Sequence, residues 1–175
     1  MENAETGTIQ LYTGNGKGKT TAALGAALRA LGHGRKVAMI QFMKGRLYGE
    51  LAAAKSLEGF TIEQHGRDEF VDSKNPATMD RDLAAGGWRR AEELARGGEI
   101  DVLILDEINV AVAYGLIELE TVLGFMRRKP ERLELILTGR YAPEPMMALA
   151  DTVTEMREIR HHFNRGVSAR KGIEY

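Results

Sequence analysis

The stretch that most restricts what this chain can fold into is Thr13-Gly14-Asn15-Gly16-Lys17-Gly18-Lys19-Thr20, because of what flanks it. A short strand-like run, Thr8-Ile9-Gln10-Leu11-Tyr12, precedes it, and an Ala/Leu-rich helical run from Thr21 to Leu31 follows. A Gly-rich turn between a strand and a helix lets successive backbone N–H groups point into one concavity, and the helix N-terminus adds partial positive charge there. Lys19 supplies a full charge to phosphate oxygens, and the Thr20 hydroxyl can ligate Mg²⁺. This is the pattern of a P-loop, with Gly14, Asn15, Gly16, Lys17 and Gly18 as the cradle and Thr13 and Thr21 at its ends. It departs from the usual spacing once: Thr13 holds the first glycine position, and Gly14 comes one residue later. A Gly/Lys-rich surface loop could carry similar letters, but not with this strand and this helix on either side.

Three further runs read as buried parallel strands: Val37-Ala38-Met39-Ile40, Val102-Leu103-Ile104-Leu105 and Leu133-Glu134-Leu135-Ile136-Leu137. Each is short, mostly aliphatic and followed by polar residues. Helical patterns lie between them. Asn75 and Pro76 resemble an N-cap and first-turn pair opening a helix with Leu83, Trp88, Ala91 and Leu94 on one side, ended by Gly97-Gly98. Glu118 to Lys129 carries Leu119, Val122, Leu123 and Met126 at helical spacing, with acids first and bases last. Lys44 to Asn75 is the least regular stretch, with a weak strand at Phe60 to Gln64. Strands alternating with helices predict one α/β domain over residues 1–175, P-loop NTPase-like (RecA-like), with a mainly parallel sheet flanked by helices. Ligands of such sheets sit beyond the C-terminal strand ends, which directs attention to the loops after Tyr12, Phe42, Leu105 and Leu137.

The 175 residues suit a single core, and a formal net charge of −1 gives no general attraction to nucleic acid or anionic membrane. The absence of cysteine excludes disulfides, thiolate metal sites and a cysteine nucleophile. The polar, acidic start has no apolar targeting segment and no run is long enough to span a membrane, so a soluble cytoplasmic protein is expected.

Leu103-Ile104-Leu105-Asp106-Glu107 has the form of a Walker B strand, ending in a carboxylate that can hold Mg²⁺ opposite Thr20. Glu107 has two open roles: orienting a hydrolytic water, or helping to hold the metal. Lys44 and Arg140 stand in strand-end loops, as partners for phosphate or as solvated loop charges. No His/Asp/Glu spacing matches a zinc site; His33, His65, His161 and His162 read as surface or capping residues, and the eight methionines as core filling.

Beyond these motifs, Tyr12 through Ala23 resembles the opening of the ATP:corrinoid adenosyltransferases of cobalamin biosynthesis and salvage. So do Gln41-Phe42-Met43-Lys44-Gly45, Leu105-Asp106-Glu107-Ile108, Leu137-Thr138-Gly139-Arg140, Ala150 to Met156, and Lys171-Gly172-Ile173-Glu174-Tyr175, in the family's order over nearly the whole chain. The resemblance implies that a corrinoid reduced to Co(I) attacks C5′ of ATP and expels inorganic triphosphate. It reassigns the P-loop from phosphoryl transfer to gripping a leaving group, with Lys19, Thr20 and Glu107 as catalytic residues and Thr20, Asp106 and Glu107 around Mg²⁺. It also implies a corrinoid bound without its lower axial ligand, a flavoprotein reductant and a homodimer. Members close the lower corrin face with a Phe-x-Trp pair; here Phe70 matches the aromatic, while Asp72 stands in place of the Trp. The rivals are a P-loop ATPase or small-molecule kinase, which would release ADP, and a non-catalytic ATP or corrinoid sensor.

Overall fold

The computed structural model describes residues 6–175; part of the acidic start, read above as free of targeting signals, lies outside them. In chain order the elements are β1 (Ile9–Thr13), α1 (Lys19–Leu31), β2 (Val37–Phe42), α2 (Gly49–Ala54), β3 (Phe60–His65), α3 (Thr78–Gly97), β4 (Val102–Asp106), α4 (Ile108–Ala113), α5 (Leu119–Arg128), β5 (Glu134–Thr138), α6 (Glu144–Leu149) and β6 (Thr152–Glu155). A 3₁₀ turn follows at His162–Arg165. The strands form one sheet in the order β3-β2-β4-β5-β1-β6, and every pairing is parallel. The expected α/β architecture is therefore present, with a sheet that is wholly rather than mainly parallel.

Alternation along the strands divides the core between two faces. Val37, Met39, Val102, Ile104 and Ile136 pack with Ala23 and Ala27 of α1. Small side chains on α1 let the helix, and with it the loop at its N-terminus, lie close to the sheet. On the opposite face Ile40, Phe42, Leu103, Leu105, Leu135 and Leu137 meet α3 and α5, where Trp88 and Phe125 make an edge-to-face contact at 5.5 Å. Because both faces are covered, the central strands are continuously apolar, which is why they were legible as strands.

Helix α3 begins later than expected. Ala77, not Asn75, occupies the N-cap, and the Asp80 carboxylate accepts from the Ala77 N–H at 3.1 Å. Arg67 donates to the same carboxylate through Nε at 2.8 Å, so an ion pair from the preceding loop sets the start. The buried stripe of α3 runs through Ala84, Gly87, Trp88, Ala91 and Ala95; Leu94 packs at its margin, and Leu83 is only half-buried. Helices α2, α4 and α6 have six residues each, too short for a repeating apolar pattern. Among the described residues no helix is long and apolar enough to cross a membrane.

Candidate active site

The C-terminal ends of β1, β2, β4 and β5 converge on one cavity of about 500 Å³. Gly16 to Thr21, Lys44, Glu107 and Arg140 line it, so the four strand-end loops singled out by sequence do meet. Thr13, Gly14 and Asn15 stand outside its lining. Thr13 is the last residue of β1 and is buried; the left-handed backbone falls on Gly14 (φ 93°) and Gly18 (φ 116°). Displacement of the turn by one residue explains why a threonine serves at the usual glycine position. Gly14 and Gly16 are packed from behind: a Cβ on either would lie 2.5 and 2.6 Å from the Met156 carbonyl oxygen, to which the Gly16 N–H donates.

Lys19 is buried, and its Nζ donates to the Gly14 and Gly16 carbonyls at 2.7 Å each. Burial pushes its ammonium below the ordinary lysine value, with Glu107 opposing that shift and Arg140 adding to it. The most connected group of the site is Asp106, fully buried at the end of β4. Its Oδ1 accepts from Thr138 Oγ1 at 2.6 Å and Thr20 Oγ1 at 2.9 Å. Its Oδ2 accepts from Lys44 Nζ at 2.7 Å and Gln41 Nε2 at 3.2 Å. Burial acts to lower the Lys44 pKa, but Asp106, together with Glu107 and Glu50, outweighs it and leaves the ammonium above its ordinary value. Burial, and then the neighbouring Asp106 charge, raise Glu107.

Among the described residues three non-glycine residues take left-handed backbone: Met43 (φ 59°), Glu107 (φ 62°) and Tyr141 (φ 61°). Each adjoins a polar residue of the site, namely Lys44, Asp106 and Arg140. Such conformations cost roughly 1–3 kcal/mol each and cluster where side chains must be aimed. The turn at Glu107 also brings its N–H to Thr138 Oγ1 at 3.0 Å.

Among the described residues no three His, Cys, Asp or Glu side chains form a cluster able to cage a metal ion. Mg²⁺ has no need of one, since it takes one or two carboxylates together with phosphate oxygens. Thr20, Asp106 and Glu107 offer an all-oxygen donor set, which fits that ion.

Several residues of the site were named in the sequence without a role in it. Gln41 and Thr138 are fully buried polar residues that follow apolar runs in β2 and β5, and that contrast was the available signal. Gly172 to Tyr175 form another wall of the cavity. There the Glu174 carboxylate is held down to about 2 by the Arg170 side chain and N–H, and it approaches Lys17 at 3.8 Å. His161 lines the cavity and also caps the 3₁₀ turn, accepting from the Phe163 N–H at 3.2 Å. Phe70 is elsewhere: it is 95% exposed on the loop between β3 and α3, while its neighbour Val71 packs against the core.

A model of the family described as ATP:corrinoid adenosyltransferase BtuR/CobO/CobP matches residues 5–175. The chain is 36% identical to the corrinoid adenosyltransferase of Pseudomonas aeruginosa, with 98% of this chain and 85% of that protein covered. It is 38% identical to the corrinoid adenosyltransferase of Escherichia coli K12 and 37% identical to the corrinoid adenosyltransferase CobA of Salmonella typhimurium, with 98% and 87% covered in both cases. A solved structure, the cytoplasmic domain of the Thermomonospora curvata Type VII secretion ATPase EccC, is similar at 16% identity and a TM-score of 0.49; the match covers 94% of this chain and 22% of that one.

Proposed function

The chain belongs to the ATP:corrinoid adenosyltransferase family, enzymes that adenosylate corrinoids with ATP, and from that premise we propose that its cavity grips the triphosphate of ATP as a leaving group. The observation that carries this reading is the convergence of four cations, Lys17, Lys19, Lys44 and Arg140, on the cavity that also receives Thr20 and Glu107. A Co(I) corrinoid supplies the electron pair for the new Co–C5′ bond, and the C5′–O pair departs with the triphosphate. Negative charge therefore grows on the oxygen nearest C5′ as that bond breaks. Lys19, the loop N–H groups and Arg140 would stabilise it. Thr20, Asp106 and Glu107 would hold Mg²⁺, which when bound would neutralise phosphate charge.

The test follows the products. Chemically reduced cobalamin, ATP and Mg²⁺ should give a light-sensitive alkylcobalamin spectrum and one inorganic triphosphate per turnover. No spectral change with several corrinoids would sink the reading. ADP is the signature of a phosphoryl-transfer enzyme, so Glu107→Gln provides the second check. We expect negligible ADP from the wild type and no change in it for the variant; substantial wild-type ADP release abolished by that substitution would identify Glu107 as the activator of water.

Phe70 is proposed to cover the lower corrin face, where a flat apolar ring excludes water and offers cobalt no donor atom. Its near-complete exposure supports a role toward a partner molecule rather than the core. Phe70→Ala should leave ATP affinity and thermal stability close to wild type. It should slow turnover strongly when Co(II) is reduced on the protein, and much less when Co(I) is supplied. Electron paramagnetic resonance of the Co(II)-loaded protein with ATP decides this: a four-coordinate signal unaffected by the substitution rules the role out. A flavoprotein donor, a cytoplasmic location and a homodimer complete the proposal; exposed Ile159, Phe163 and Val167 support a covered face.

A further inference from the structure

We propose that Lys44 is the resident counter-ion of Asp106, and that it leaves this carboxylate for the triphosphate when a metal-bound nucleotide enters; this rests on the metal site proposed above. A carboxylate has about four acceptor positions. Those of Asp106 are met by four donors: Thr138, Thr20, Lys44 and Gln41. A metal ion can therefore be held there only if a donor withdraws.

Three of the four are poorly suited to do so. Thr138 is fully buried in β5, and its hydroxyl also receives the Glu107 N–H. Gln41 is fully buried in β2, where it donates to Glu50 at 3.1 Å and accepts from Gln64 at 3.1 Å. Thr20 is itself the expected partner of the metal. Lys44 differs in every respect. It stands on a loop, has a flexible four-carbon stem and lines the cavity. Its Nζ is also within 3.5 Å of Thr20 Oγ1, so the ammonium sits between the two groups expected to hold the metal. Two cations cannot share that position without repulsion. The Tyr48 ring, 5.3 Å from Nζ, offers a second resting contact at the cavity wall.

The arrangement keeps the site neutralised until nucleotide arrives. Without Lys44, Asp106 would lose its paired cation and, with the adjacent Glu107, offer a more negative pair to free divalent ions. With it, a metal enters together with the triphosphate, which takes over the ammonium.

Mn²⁺ is the probe, followed by loss of the free-ion paramagnetic resonance signal. Without nucleotide the wild type should bind it weakly. Lys44→Gln, which keeps a donor but removes the charge, should bind it more tightly by on the order of tenfold, and Lys44→Arg should stay as weak as the wild type. Should Mn²⁺ and ATP bind together in all three proteins while Lys44→Gln gains nothing over the wild type, the displacement is wrong. Absence of Mn²⁺ binding even with ATP would instead remove the metal site itself. A measurement on the wild type guards against a variant that fails to fold. The lysine Nζ resonance assigned to Lys44 by its loss in Lys44→Arg should shift on addition of Mg²⁺ with ATP and not with Mg²⁺ alone. An unmoved resonance overturns the proposal.

Discussion

Lys19→Ala should lower adenosyl transfer by on the order of a hundredfold or more, the effect of removing a charge that stabilises the departing group in a water-poor site. Its present bonds, to the carbonyls of Gly14 and Gly16, show how closely the loop wraps this side chain. Gly16 faces the cavity, where water can replace the lost donor. The thermal midpoint should therefore move little. Triphosphate release measured at saturating ATP checks the effect, and turnover near the wild-type rate would mean that this loop does not cradle the triphosphate.

Asp106→Ala should damage both activity and stability. Activity falls because the proposed metal site loses a carboxylate and Thr20 loses the partner that orients its hydroxyl. Stability falls because the buried Thr138 hydroxyl loses its acceptor, the buried Gln41 amide keeps only Glu50 of its two acceptors, and Lys44 loses its counter-charge. Lys44 can retreat into the cavity, so the cost belongs at the low end of the range for breaking a buried pair, about 3 kcal/mol. Urea unfolding without nucleotide measures it. A loss below about 1 kcal/mol would show that the four donors find other partners or solvent.

The comparison of sequence with structure has a physical pattern. β2, β4 and β5 were legible because burial on both faces makes a strand continuously apolar. The P-loop was legible because Gly14 and Gly18 must adopt backbone that few other residues tolerate. β6 was much less so: Thr152 to Glu155 are all exposed at the sheet edge, and what holds them is pairing to β1 rather than an apolar pattern. The start of α3 was misjudged because a long-range ion pair from Arg67 to Asp80 acts there, and local capping chemistry says nothing of it. Within the site, Lys44 and Asp106 were each singled out. Their pairing was not, since it depends on β2 and β4 lying side by side, with Gln41 in register with Asp106.

The backing of the P-loop by Met156 has a consequence for how the protein comes into being. The strand and carbonyl that support the loop lie some hundred and forty residues after it in the chain. At about 5–20 residues per second, that supporting segment follows the loop by roughly 7–30 seconds. During this interval the nascent chain displays the P-loop's letters without the packing that shapes the loop. The backed shape of the loop is therefore available only once the segment around Met156 has been made.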